Sequence, residues 1–161
     1  VYRSTAVQQF ASFFLARLDG AGLDLVSSNA GHNWPVLQRR GGARRLLECG
    51  GVLLGILEDV AYEEERLTLE PGDLLVLYTD GVSEAVNGAG EMFSDERLQE
   101  AVAAMPAALT AREVAERLLA TLHEFLGGVE PQDDVTLVVV RVPEGGPDGT
   151  GRETGDRKSV V

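Results

Sequence analysis

The chain reads as an α+β fold in which helices cover antiparallel sheet, and three features of the sequence predict it. Short apolar runs of β type, separated by Gly- and Pro-containing turns, fill the chain up to Tyr78. The helical signals arrive together after residue 90, and one last apolar run closes the folded part. A βαβ parallel sheet would interleave these signals, whereas here they are segregated. At 161 residues, with 44% hydrophobic and 25% charged residues, the chain has the length and composition of a single domain with its own core.

Residues 10–18 (FASFFLARL) predict a buried strand, closed by the turn composition Asp19-Gly20-Ala21-Gly22. Residues 23–28 predict the returning strand of that hairpin. Two further short strands, 35–40 and 43–48, flank Gly41-Gly42, a pair suited to a tight hairpin turn. Residues 52–57 form a short apolar run, and residues 63–69 alternate weakly. Pro71-Gly72 then makes a turn ahead of the strongly apolar Leu74–Tyr78. Ser94-Asp95-Glu96 supplies a cap and an acidic first turn before Leu98, Val102 and Met105, which fall at helical spacing. Thr110-Ala111-Arg112-Glu113 is a capping box, followed on one face by Val114, Leu118, Leu122 and Phe125 and ended by Gly127-Gly128. Residues 135–142 predict a final strand. From Pro143 the composition turns to Gly, Pro and charge, so residues 1–142 read as the domain and 143–161 as a disordered tail.

The net charge is −12, and all but one unit belongs to residues 1–142, so the acidity is a property of the domain. Nucleic acid is a poor partner for such a chain, because neutralising phosphates takes clustered Lys and Arg. The apolar runs fall far short of the ~20 residues that cross a bilayer. With no signal peptide, the default location is cytoplasmic. Cys49 is the single cysteine, which excludes an internal disulfide and a Cys-based zinc cluster. There is no G-x-G-x-x-G, Walker or G-x-S-x-G sequence, so neither nucleotide binding nor a serine nucleophile has support.

Two acidic stretches carry the chemistry. Tyr78-Thr79-Asp80-Gly81-Val82-Ser83-Glu84 and Gln132-Asp133-Asp134-Val135-Thr136 each place a carboxylate at the end of an apolar strand. Rigid strand ends are where oxygen ligands would hold a hard cation. Gly81 lets the backbone turn sharply after Asp80, and Glu84 reaches the same place if the following segment coils. Turn and loop-cap chemistry explains the same residues without a metal. Adjacent carboxylates repel one another in the absence of a cation, which favours the metal. A second cluster, Asn29-Ala30-Gly31-His32-Asn33, sits between two strands; His32 is read as a general acid, a ligand or a structural residue bonded to backbone. Arg39, Arg40, Arg44 and Arg45 flank one hairpin turn, either to grip a phosphate or acidic partner or as a solvated tip.

These motifs, in this order and together with Pro71-Gly72-Asp73, resemble the sporulation- and stress-response (SpoIIE/RsbU-like) branch of the bacterial PP2C-like, metal-dependent Ser/Thr phosphatases. The resemblance spans residues 1–142. It implies an αββα sandwich of two antiparallel sheets flanked by helices, with its first strands missing here. It also implies hydrolysis of phosphoserine or phosphothreonine on a regulatory protein, such as an anti-sigma-factor antagonist, by a water bridging two Mn²⁺ or Mg²⁺ ions. By motif position Asp80 and Asp133 match metal ligands, and Glu84 a site for an additional, weaker ion. Gly81, Asp134, Asn29, Gly31 and His32 match supporting or structural positions. No residue of the chain matches the family's candidate acid His, and its bridging Asp with the nearby Gly-His-Gly stretch has no counterpart, since Gly31-His32 is followed by Asn33. Val1 is not a start methionine and strand-like sequence follows closely, which predicts an N-terminally incomplete domain. The alternative expectation is a phosphatase-like module that binds a phosphoprotein or metal without turnover.

Overall fold

The computed structural model describes residues 10–145, and the tail expected at 143–161 lies almost entirely outside them. Strands β1 (Phe13–Leu18), β2 (Asp24–Ala30), β5 (Gly50–Gly51) and β6 (Glu65–Thr68) form one sheet, in which β2 is the hub. It pairs antiparallel with β1 and β6, and parallel with β5. Strands β3 (Val36–Gln38), β4 (Arg44–Leu46), β7 (Leu74–Tyr78) and β8 (Leu137–Arg141) form a second sheet in the order β4-β3-β7-β8, antiparallel throughout. Three helices follow β7: α1 (Asp80–Ser83), α2 (Ser94–Ala103) and α3 (Ala111–Leu126).

The unbroken apolar run of β7 has a direct cause: the strand is covered on both faces. Leu74, Val76 and Tyr78 join Leu98 and Val102 of α2 and Val114, Leu118, Leu122 and Leu126 of α3 in one core. Leu75 turns the other way and packs with Leu25, Leu37, Leu47, Leu69 and Val142 between the sheets. The described residues therefore form three layers, sheet on sheet on helix, and the expected two-sheet α+β architecture is borne out. Both ends of α3 follow their sequence signals. Thr110 accepts from the Glu113 amide while the Glu113 carboxylate takes the Thr110 amide, and Gly127 closes the helix in the left-handed conformation.

Two local expectations need correction, and the apolar run 52–57, to which the sequence assigns no element, is placed. The first strand is not buried: Phe14 packs towards the inter-sheet core, but Phe13 is 50% and Leu15 60% exposed. An edge strand has a neighbour on one side only, and the outer face of this one is uncovered among the described residues. The apolar run 52–57 forms no strand; the pairing element is Gly50–Gly51, just before it. Phe93, not Ser94, stands at the α2 N-cap, and α2 stops at Ala103, short of Met105.

Candidate metal centre

The end of β7 and the loop before β8 meet because their strands are neighbours, with Tyr78 opposite Leu137. Beyond that pair Thr79 donates its amide to the Thr136 carbonyl at 3.2 Å. The chain then leaves the sheet and winds into α1, with Asp80 as its first residue. The Glu84 amide donates to the Asp80 carbonyl at 2.8 Å, so their side chains stand one helical turn apart on the same side. Gly81 is buried where the two segments touch: a Cβ there would lie 2.3 Å from the Asp134 carbonyl oxygen. Only glycine permits this approach, which brings Asp133 beside Asp80.

Asp80, Gly81, Glu84, Ala85, Gln132 and Asp133 line one cavity of about 230 Å³. The structure thus brings together all three sequence-identified carboxylates. Asp80 Oδ1 accepts from the Gly81 amide at 3.0 Å, and Asp133 Oδ1 from the Asp134 amide at 2.7 Å. Among the described residues none of the three forms an ion pair with Lys or Arg. Nor are any three His, Cys, Asp or Glu side chains there drawn together tightly enough to enclose an ion. The donor set is nonetheless chemically suited to one: three exposed carboxylates without basic neighbours, on an open cavity. Mg²⁺ in particular keeps several waters and needs only one or two protein carboxylates.

The supporting positions divide. Asp134 contributes its carbonyl, not its carboxylate, at the contact with Gly81. Asn29, 2% exposed, closes a tight loop with His32: its side-chain amide donates to the His32 carbonyl at 3.0 Å, and the His32 amide donates to its Oδ1 at 2.7 Å. His32 Nδ1 is hydrogen-bonded to Ser12 Oγ at 3.0 Å, and His32 is not among the cavity's lining residues. Gly31 is left-handed, at φ 71°. The loop reaches the site through Asn33, whose Nδ2 donates to Ser83 Oγ at 3.2 Å. Sequence reading gave no role to Thr79 and Asn33, which act across tertiary contacts, or to Ala85 and Gln132, which line the cavity.

The four arginines are engaged within the protein. Arg39 pairs with buried Asp73, Arg45 with Glu65 and Arg40 with Glu144, while Arg44 donates to the Gln99 carbonyl. They brace the hairpin against its neighbours.

The chain is similar to known proteins. Residues 1–143 match the family described as Stage II sporulation protein E (SpoIIE). Protein IcfG of Synechocystis is 29% identical over 131 residues, which cover 81% of this chain and 20% of IcfG. Phosphoserine phosphatase RsbU of Bacillus subtilis is 35% identical over 97 residues, 59% of this chain and 28% of RsbU. Among solved structures, the SiaA-PP2C domain of Pseudomonas aeruginosa aligns with a TM-score of 0.68 at 25% identity, over 81% of this chain and 51% of that one. The chain thus spans between a fifth and about half of the length of these proteins. Matched over nearly all its length and sharing the fold of PP2C phosphatase domains, the chain belongs to the SpoIIE family.

Proposed function

We propose that this chain is part of a metal-dependent protein phosphatase that hydrolyses phosphoserine or phosphothreonine on a regulatory protein. The observation that carries the reading is the convergence of Asp80, Glu84 and Asp133 on one open, polar cavity. Asp80 and Asp133 would hold the divalent ions, and Glu84 a further, weaker one. When bound, Mn²⁺ or Mg²⁺ would lower the pKa of water and stabilise the negative charge that develops as the phosphate ester is hydrolysed. The protein's own part is to fix the carboxylates on strand ends and to leave the cavity open to a side chain presented by another protein. An anti-sigma-factor antagonist is the kind of substrate the resemblance suggests.

The test is Mn²⁺-dependent hydrolysis of p-nitrophenyl phosphate by the chain beside its Asp133→Asn variant. Turnover that disappears in the variant and on chelation supports the reading. Equal turnover in both overturns the role of Asp133. A second reading has an observation of its own, since no Gly-His-Gly stretch occurs in these 161 residues. Mn²⁺ uptake without hydrolysis would favour it: a phosphatase-like module that binds without turning over.

A further inference from the structure

We propose that Thr79 is a positioning residue for the metal centre, its hydroxyl setting the place of Asp133 relative to Asp80. The inference rests on the metal reading above and goes beyond it, because Thr79 is neither a ligand nor one of the residues lining the cavity.

Its hydrogen bonds show how one side chain resolves a conflict. At a hydrogen-bonded antiparallel position, the two facing residues exchange both backbone N–H···O bonds. Thr79 and Thr136 would be the next such pair beyond Tyr78 and Leu137. One bond is made as expected, from the Thr79 amide to the Thr136 carbonyl. The other is not: the Thr79 carbonyl turns to α1, where it accepts from the Val82 amide at 3.0 Å. The Thr136 amide donates instead to the Thr79 hydroxyl oxygen, at 3.1 Å. The same hydroxyl donates to the Asp134 carbonyl, also at 3.1 Å. A Thr at a helix N-cap ordinarily turns its oxygen to the first free amides of the helix. Thr79 occupies that position of α1 and makes no such bond.

The hydroxyl therefore substitutes for the carbonyl in the sheet ladder. Backbone can leave the sheet to carry Asp80 and Glu84 into α1 while the strand behind Asp133 stays attached. Without it, the Thr136 amide and the Asp134 carbonyl lose their partner at the point where the two carboxylates are set against each other.

The experiment measures Mn²⁺ binding by the whole chain, by titration calorimetry, in wild type, Thr79→Val, Thr79→Ser and Thr110→Val. Loss of a partner that orients a ligand typically weakens metal binding about 10–100-fold, and that range is expected for Thr79→Val. Thr79→Ser retains the hydroxyl and is expected to bind like wild type. Thr110→Val removes a helix cap remote from the cavity and controls for a general loss of stability. If Thr79→Val does not fold by circular dichroism, Thr79→Ala takes its place. Hydroxyl-free variants that bind as tightly as wild type overturn this inference alone, as would a Thr110→Val chain weakened to the same degree. A wild-type chain that takes up no Mn²⁺ overturns the metal reading and this inference with it.

Discussion

A methyl group on Gly81 would sit 2.3 Å from the Asp134 carbonyl oxygen and 2.8 Å from its carbon, both backbone atoms with little freedom to retreat. Gly81→Ala should therefore push the β8 loop away from α1. Overpacking of this kind costs about 1–3 kcal/mol, measurable by urea unfolding. Mn²⁺ affinity should fall further than any equally destabilising change elsewhere, because the displaced loop carries Asp133. If the variant unfolds at the wild-type urea concentration and keeps its Mn²⁺ affinity, close approach at Gly81 is not what assembles the site. The carboxylates themselves were legible in the sequence because strand-end Asp-Gly and Asp-Asp pairs are local patterns. Thr79 and Asn33 were not, since their partners lie 50–57 positions away and only pairing of the strands reveals them.

At the scale of the elements, α2 is tied to the strand that delivers Asp80. Tyr78, 4% exposed, donates its phenolic hydroxyl to Asp95 in the first turn of α2 at 2.8 Å. Burial, then the bond to Asp95 and its negative charge, push the phenol well above its ordinary value. Folded Tyr78 thus holds its proton at a pH where the unfolded side chain, with pKa ≈ 10, loses it. Its stabilisation is complete below that value and is lost as pH rises through and beyond it. Tyr78→Phe should cost roughly 1.5–3 kcal/mol at neutral pH, as for hydrogen bonds to charged groups. The variant should also lose less stability than wild type between neutral pH and pH values above about 10. Denaturant titrations across that range decide it, and parallel pH curves for the two proteins would rule Tyr78 out as the source. Elements whose signals are local, such as β7 and α3 with its capping box, matched expectation. Those that depend on distant partners did not. The parallel β2–β5 pairing exists because Gly50 lacks a Cβ that would fall 1.8 Å from the Asn29 carbonyl oxygen. Exposure of β1 depends on what lies beside it in space, which an apolar run cannot report.

At the scale of the whole molecule, the candidate centre and a heavily bonded buried carboxylate sit at opposite ends of β7. Asp80 lies two residues beyond its last residue and Asp73 immediately precedes its first. Asp73, 1% exposed, accepts from the Arg39 guanidinium and from the amides of Arg40 and Glu70. Its own backbone carbonyl takes the Val142 amide, while Gly72 donates to the Val142 carbonyl. The carboxylate thereby fastens the β3–β4 hairpin to the turn after β6, while the backbone of Gly72 and Asp73 holds the end of β8. Removing one partner of a buried ion pair commonly costs 3–5 kcal/mol, and the 28% exposure of the Arg39 side chain reduces the expectation for Asp73→Ala to about 2–4 kcal/mol. Because the lost bonds lie a full strand away from Asp133, the folded fraction of the variant should bind Mn²⁺ with wild-type affinity. Urea unfolding and calorimetric titration on the same preparation separate these outcomes. A stability loss with unchanged affinity would establish one end of β7 as an anchor and leave the other to the metal. A parallel fall in affinity would mean that the sheet transmits distortion along its whole length, and that the carboxylates depend on packing well beyond their own loops.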